Sequence, residues 1–265
     1  MHPIERLRYL ARSSGHDQRV LVTETASALR SMRMDPMGLV VSCRRIVEKH
    51  PTSGPLWWLC AHILTAADPA QAARDLPGLL ELDPTPDHLM DRLPDEATVL
   101  VVGWPDLAGE ACIGRGDLTV LTVDADGEGR GFVRRLERSD VVAEIVEPGS
   151  LGAAVLAADL VLVEATAASP TEILASKGSR AVASVAYCSE VPVWAVVGRG
   201  RCLPEPAFAS LVERVGAVRV PWEAEADVVP LQMAAYLATE RGVQEPTGPL
   251  APEAPLAHEL LGTRR

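Results

Sequence analysis

Apolar residues recur at helical spacing through the first third of the chain, and the breaks between these stretches carry helix-start signals. Asp17 and Ser53 are suited to cap helices, and Asp35-Pro36 fits a helix start because the first helical turn accommodates proline. The pattern therefore predicts an all-helical N-terminal region. Its helices are expected from Asp17 to Arg33, from Pro36 through Val47, from Ser53 through Leu64, over Ala70–Leu82 and over His88–Arg92.

After Pro94 the pattern changes to short apolar runs separated by helical stretches. Strands of about five residues alternating with helices form a parallel sheet covered on both faces, so this half predicts a Rossmann-like, doubly wound α/β domain. The expected strands are Thr98–Val102, Leu118–Val123, Val141–Val146, Leu160–Glu164, Val193–Val197 and Ala217–Val220. The expected helices between them include Gly131–Arg138, Leu151–Ala157 and Ser179–Ser189.

These changes divide the sequence into a helical domain over 1–94, an α/β domain over 95–242 and a tail over 243–265. The tail holds four prolines and is typical of a flexible extension. A short docked helix over Leu256–Leu261 is the alternative.

Composition narrows the function classes. The chain has 265 residues, of which 48% are apolar, with a net charge of −11, which disfavours a general nucleic-acid binder but leaves room for a local phosphate pocket. It has no apolar run of about 18 residues and no N-terminal signal pattern, so we expect no membrane span and a cytoplasmic location. Five cysteines without paired spacing indicate reduced thiols, with neither a metal site nor a cofactor expected.

Ligands of parallel sheets bind at the carboxyl ends of the strands, so the loops there hold the candidate chemistry. The strand that ends in Glu164 and Thr166 is followed by Ser176-Lys177-Gly178-Ser179, which opens a helix. Free N–H groups at a helix start attract anions and Lys177 adds positive charge, so this segment predicts a phosphate or carboxylate site. An ordinary capped helix with a solvated lysine is the alternative.

Two further strand-end loops are candidates. Arg199 and Arg201 stand among glycines after a strand and are suited to grip a phosphate, with a plain surface loop as the alternative. Asp124 ends another strand and is interpreted as an acceptor for hydroxyl groups of a sugar-like ligand. No histidine lies in these loops, so the sequence disfavours a Ser/His/Asp triad.

The order of three segments resembles a known family. The strongest match runs through Val161–Thr166, Ser176–Ser179 and Val191–Val196; the others are His50–Trp58 and Ile145–Ser150. Together they resemble the regulatory alpha, beta and delta subunits of eukaryotic initiation factor 2B. That family includes methylthioribose-1-phosphate isomerase and ribose-1,5-bisphosphate isomerase.

The resemblance implies a helical N-terminal domain packed on a Rossmann-like domain of the NagB/RpiA/CoA-transferase-like type, in a homodimer or a larger assembly. It also implies a pocket for a phosphorylated sugar or nucleotide, and a possible protein partner. The expected ligand-binding residues are Thr52, Ser53, Gly103, Asp124, Glu164, Thr166, Ser176, Lys177, Gly178, Ser179 and Arg199.

Departures from the family bear on catalysis. The isomerases use a cysteine after the first strand and the aspartate of a Gly-Ala-Asp motif; here Gly103-Trp104-Pro105 and Thr166 stand there. Threonine is a poor acid or base at neutral pH, whereas Glu164 alternates onto the same strand face as Thr166. Catalytic residues are therefore unknown, with Glu164, Asp124 and Thr166 as candidates.

Two functions remain open on this evidence. The favoured hypothesis is a non-catalytic protein that acts as a dimeric scaffold or as a regulatory protein binding a phosphometabolite or nucleotide. The alternative is a sugar-phosphate aldose-ketose isomerase with rearranged catalytic residues, in which Glu164, Asp124 and Lys177 act.

Overall fold

Within the described residues, five helices form the first part of the chain. The structure is a computed structural model that describes residues 17–31, 36–124, 126–216 and 220–261. Asp17 and Ser53 cap helices as predicted: each accepts hydrogen bonds through a side-chain oxygen from backbone N–H groups at the following helix start. The end predicted for the first helix, Arg33, lies outside the described residues. The helices are α1 (Gln18–Ser31), α2 (Pro36–Lys49), α3 (Gly54–Thr65), α4 (Pro69–Glu81) and α5 (Thr85–Arg92).

Beyond α5 the chain alternates strands and helices. In order, the elements are β1 (Thr98–Val102), α6 (Asp106–Arg115), β2 (Thr119–Val123), α7 (Gly129–Glu137), β3 (Val142–Val146), α8 (Leu151–Ala157), β4 (Leu160–Ala168), β5 (Glu172–Ser176), α9 (Ser179–Cys188), β6 (Val193–Val197), α10 (Glu205–Val215), β7 (Ala226–Pro230), β8 (Tyr236–Thr239) and β9 (Gly242–Gln244).

The sheet has the order β3-β2-β1-β4-β6-β8-β9, and its neighbours are parallel up to β8. Helices cover it, and the centre of β1 is fully buried. The doubly wound α/β class predicted from the sequence is therefore confirmed. At one edge β9 runs antiparallel to β8.

A small antiparallel extension departs from the predicted strands. β4 continues past Glu164 to Ala168, turns through Ser169 and pairs with β5, which pairs in turn with β7. The Ser169 hydroxyl oxygen stabilises the turn by accepting hydrogen bonds from the Thr171 and Glu172 N–H groups. Of the strand predicted over 217–220, residues 217–219 lie outside the described part of the chain, and the next strand is β7.

Apolar packing joins the helical part to the sheet. Phe208 and Leu211 of α10 lie in the same buried cluster as Leu56 and Trp57 of α3. Conversely, Leu89 of α5 packs in the cluster beneath the sheet. The two predicted domains therefore share an extensive apolar contact.

Residues 246–261, which we call the C-terminal strap, lie against the body of the protein. The Leu250 N–H donates to the Pro170 carbonyl, and Arg214 donates to the Leu260 carbonyl. Ala257 and Leu260 are buried in the helical cluster, and a short 3-10 turn covers His258–Leu260. The prediction of a flexible extension thus differs from the structure, because periodically placed apolar residues between the prolines pack into the core.

No helix within the described ranges is both long enough and apolar enough to cross a membrane.

Candidate functional site

A cavity of about 480 Å³ lies at the carboxyl edge of β1 and β4. The helical part covers it from one side through α1 and the segment before α3. The cavity is lined by Gln18, Thr52, Trp104, Asp106, Asp126, Glu128, Glu164, Thr166, Ser176, Arg201, Glu225 and Ala226.

Glu164 stands at the centre of the site, and its carboxylate is engaged on both oxygens. Oε1 accepts from the Asp106 N–H at 3.1 Å and Oε2 from the Ala108 N–H at 2.9 Å, so the side chain caps α6. Arg201 Nη1 donates to Oε1 at 2.8 Å, and the two side chains are only 8% and 5% exposed. Glu164 faces the cavity with Thr166, but protein donors already hold it.

Asp106, the first residue of α6, is the ionisable group that the sequence analysis missed. Burial, followed by the charge of Glu164, raises the pKa of its carboxyl to about 7, although Arg201 acts in the opposite direction. Asp106 therefore exchanges a proton near neutral pH while Glu164 lies beside it. The signal was weak because an acidic residue in a first helical turn is common.

Thr166, Ser176 and Gly103 come together as predicted. Thr166 and Ser176 both line the cavity, and the Thr166 hydroxyl donates to the Leu174 carbonyl at 3.2 Å. Gly103 adopts φ +65°, and a Cβ placed there would lie 3.5 Å from the Ser176 hydroxyl oxygen. The turn after β1 thus favours glycine, and it lies next to Ser176.

The start of α9 is occupied by a carboxylate of the protein itself. Asp227 of β7 accepts hydrogen bonds through Oδ2 from the Gly178 N–H at 2.9 Å and the Arg180 N–H at 3.1 Å. Ser179 is buried, at 2% exposure. Two of the N–H groups at the predicted phosphate site, those of Gly178 and Arg180, are therefore already bonded to an internal anion.

Lys177 follows Ser176 of the cavity lining and is close enough to Asp126 for their charges to interact. Burial raises the pKa of Asp126, and the positive charge of Lys177 opposes that shift. The lysine predicted to neutralise a ligand thus faces a carboxylate of the cavity wall.

Two other predicted residues serve as helix caps. Asp124 Oδ1 accepts from the Gly129 N–H at 3.1 Å and holds the start of α7. The Ser53 hydroxyl donates to Gln18 Oε1 at 2.5 Å while its oxygen accepts from the Leu56 N–H. Both side chains stabilise the elements around the cavity, and Thr52 beside Ser53 lines it directly.

Arg199, predicted to bind a ligand, lies elsewhere. Its Nε donates to Glu240 Oε2 at 2.5 Å, its Nη1 to the Leu79 carbonyl at 3.0 Å and its N–H to Asp83 Oδ2 at 2.9 Å. The other arginine of the loop, Arg201, points into the cavity instead. Residues two apart on an extended segment share a face, but Gly200, with φ +75°, breaks that alternation.

The electrostatics of the cavity are acidic. Its described lining includes five carboxylates, and the lining arginine, Arg201, is bonded to Glu164 and to the Ala165 carbonyl. Such a wall repels a phosphate dianion. Cys112 beneath it is no nucleophile, since burial raises the pKa of its thiol to about 12. Among the described residues no three His, Cys, Asp or Glu side chains are grouped to hold a metal ion.

No family model matches the chain, and no curated protein matches it either. Several solved structures, however, are similar to it. The Pyrococcus horikoshii OT3 translation initiation factor eIF-2B is 15% identical, over 92% of this chain and 97% of that one, with a TM-score of 0.76. The tetrameric eIF2B-beta2-delta2 complex from C. thermophilum is 16% identical, over 91% and 90%, with a TM-score of 0.70.

The eIF-2B delta subunit from A. fulgidus is similar as well, at 14% identity over 93% and 88% of the two chains, with a TM-score of 0.64. The chain has the eIF2B-subunit fold. The resemblance seen in the sequence is thereby confirmed at the level of the fold. Within this eIF2B-type architecture the cavity lies where the helical part meets the carboxyl edge of the sheet.

Proposed function

We propose that this chain is a non-catalytic eIF2B-like protein that acts as a dimeric scaffold in the cytoplasm, through association with a second copy and a protein partner. One observation carries the proposal. Groups suited to bind a phosphate are already bonded within the chain: two N–H groups at the start of α9 to Asp227, and Arg201 to Glu164.

Sugar-phosphate isomerisation has less support from the same geometry. Opening a sugar ring and moving a proton between carbons requires an acid and a base that are free to reach the substrate. Glu164 is held by three donors, and the Thr166 hydroxyl is bonded to Leu174. The acidic wall adds repulsion against the phosphate group.

One observation favours the alternative, an enzyme acting on a small hydroxylated substrate. Asp106 and Glu164 are neighbouring carboxyl groups in different environments, and the pKa of Asp106 lies at about 7. Pairs of carboxyl groups with separated pKa values commonly divide acid and base roles. In such an enzyme Asp106, rather than Asp124 and Lys177, would act together with Glu164.

Association is supported by the fold. The solved complex from C. thermophilum is a tetramer of beta and delta subunits with this architecture. In our proposal the present chain also uses this fold to associate with other chains, and its cavity no longer binds a ligand. Regulation by a bound nucleotide or sugar phosphate is the weaker form of this proposal.

The test measures two quantities: the mass of the protein in solution and the change in its melting temperature when ligands are added. Light scattering of the purified chain is expected to give the mass of a dimer. Melting temperatures with ribose 1,5-bisphosphate, methylthioribose 1-phosphate, adenosine monophosphate and inorganic phosphate are expected to match the value without ligand.

A monomer at every concentration tested would contradict the scaffold. A saturable rise in melting temperature with one sugar phosphate, abolished by Ser176→Ala but kept by the exposed surface variant Glu137→Gln, would establish a functional phosphate pocket. Turnover of that compound, lost in Asp106→Asn, would establish the enzyme.

A further inference from the structure

The C-terminal strap is fixed to both parts of the fold through one short stretch around Glu253. The Glu253 N–H donates to the Cys202 carbonyl at 2.9 Å, and the Glu253 carbonyl bonds to His62 Nε2 at 3.1 Å. Its side-chain Oε2 accepts from the Gly200 N–H at 2.6 Å. One residue thus connects the strap to α3 and to the loop after β6.

The surroundings of the Glu253 carboxyl are rich in charge. Asp83, before α5, bonds the Arg199 N–H, and Glu240, after β8, bonds the Arg199 guanidinium. Arg241 lines a neighbouring cavity of about 160 Å³ together with Glu240 and Glu253. The charged groups facing Glu253 are therefore Asp83, Arg199, Glu240 and Arg241, with the His62 ring on its carbonyl.

This arrangement holds three carboxyl groups around Arg199, which is already engaged, while Arg241 lines the neighbouring cavity. Neutral Glu253 fits there, whereas an ionised Glu253 adds a half-buried negative charge beside Asp83 and Glu240. The strap's other glutamate, Glu259, is exposed and contributes only its carbonyl, which accepts from Arg44 Nε at 2.5 Å. Titration of the strap contacts thus centres on Glu253.

We propose that the C-terminal strap is a pH-sensitive latch, docked when Glu253 is neutral and loosened when Glu253 is ionised. Its release uncovers the apolar surface on which Ala254, Ala257 and Leu260 lie, between α2 and α10. The proposal concerns a surface apart from the cavity and does not depend on the scaffold function.

The direction of the pH dependence follows from linkage. Burial first, and then the charges of Glu240 and Asp83, raise the pKa of Glu253 from 4.5 to about 7, while the Gly200 N–H and Arg199 act against the shift. The docked strap therefore binds a proton more tightly than the released one. Docking is strongest below pH 4.5 and weakens as the pH rises toward 7.

Hydrogen exchange on the full chain tests the latch. Protection factors, corrected for intrinsic exchange, are measured at pH 5 and pH 8 for the Leu250 and Glu253 amides, with the Val161 amide in the sheet as internal reference. We expect strap protection to fall by about tenfold or more between the two pH values while Val161 changes little.

Glu253→Gln keeps an acceptor for the Gly200 N–H but cannot ionise, so its strap protection should change less than about twofold over the same range. Glu245→Gln removes an exposed carboxylate just before the strap and should behave like the unmodified chain. Two outcomes would overturn the proposal. One is equal protection at both pH values in the unmodified chain. The other is an undiminished pH dependence in Glu253→Gln, which would assign that dependence to His62 or another group.

Discussion

At the scale of single residues, the strand-end rule predicted much of the cavity. Glu164, Thr166 and Ser176 were placed together because they end strands or follow one, and all three line it. The sequence does not point to Asp106, because α6 contains two glycines and its pattern shows only weak amphipathic periodicity. Local sequence also does not reveal the hydrogen-bond partners of a carboxylate. Glu164, for example, is bonded by Arg201, which lies 37 residues further along the chain.

Substitution of Asp106 tests how much the neighbouring carboxyl groups of Asp106 and Glu164 lower the free energy of unfolding. Because burial raises its pKa to about 7, the folded protein holds a proton that the unfolded chain releases, so stability falls as the pH rises from about 3.8 toward 7. Asp106→Asn removes this dependence and should raise the free energy of unfolding by about 1–3 kcal/mol more at pH 8 than at pH 5. Urea denaturation at both pH values measures it, with the exposed Glu137→Gln as control. An equal effect of Asp106→Asn at both pH values would show that the carboxyl is not perturbed.

At the scale of elements, regular strands and caps were predictable, whereas β7 was not. Its five residues show no clear alternation, and in the structure four of them are half-buried. β7 nevertheless matters for anion binding at α9, because its Asp227 accepts hydrogen bonds from N–H groups at the start of that helix. Sequence reasoning recognised the N–H groups of the helix start but had no means of locating a carboxylate about fifty residues away that satisfies them.

Removing that carboxylate should expose the anion site that the sequence predicts. Asp227→Ala leaves the Gly178 and Arg180 N–H groups without their acceptor, and we expect a loss of about 0.5–2 kcal/mol in the free energy of unfolding. Inorganic phosphate should then raise the melting temperature of Asp227→Ala more than that of the unmodified chain. Asp227→Asn, which keeps an acceptor, is the matched control. An identical phosphate response in all three proteins would mean that α9 binds no anion even when its start is open.

At the scale of the whole molecule, the order of helical and α/β parts followed from the change of pattern near Pro94. The way in which the two parts pack together could not be predicted from this pattern, because it depends on which buried surfaces meet. The first eight residues of α3 are all buried, so adjacent Trp57 and Trp58 are 1% and 3% exposed. The strap shows the same limit: its proline content predicts a lack of regular structure, but irregular chain still docks through apolar residues.

The contact of α3 with the sheet depends on a close approach at Gly54. A Cβ at this position would lie 2.8 Å from the Thr166 carbonyl oxygen and 3.0 Å from the Ala167 Cα, and these backbone atoms of β4 cannot swing aside. Gly54→Ala should therefore lower the free energy of unfolding by about 1–3 kcal/mol. Gly78→Ala in α4 is the control, because nothing lies within 4 Å of its Cβ and alanine favours a helix interior by about 0.5–1 kcal/mol. Chemical denaturation of both variants measures the difference, and a Gly54→Ala protein as stable as Gly78→Ala would show that α3 and β4 separate without cost.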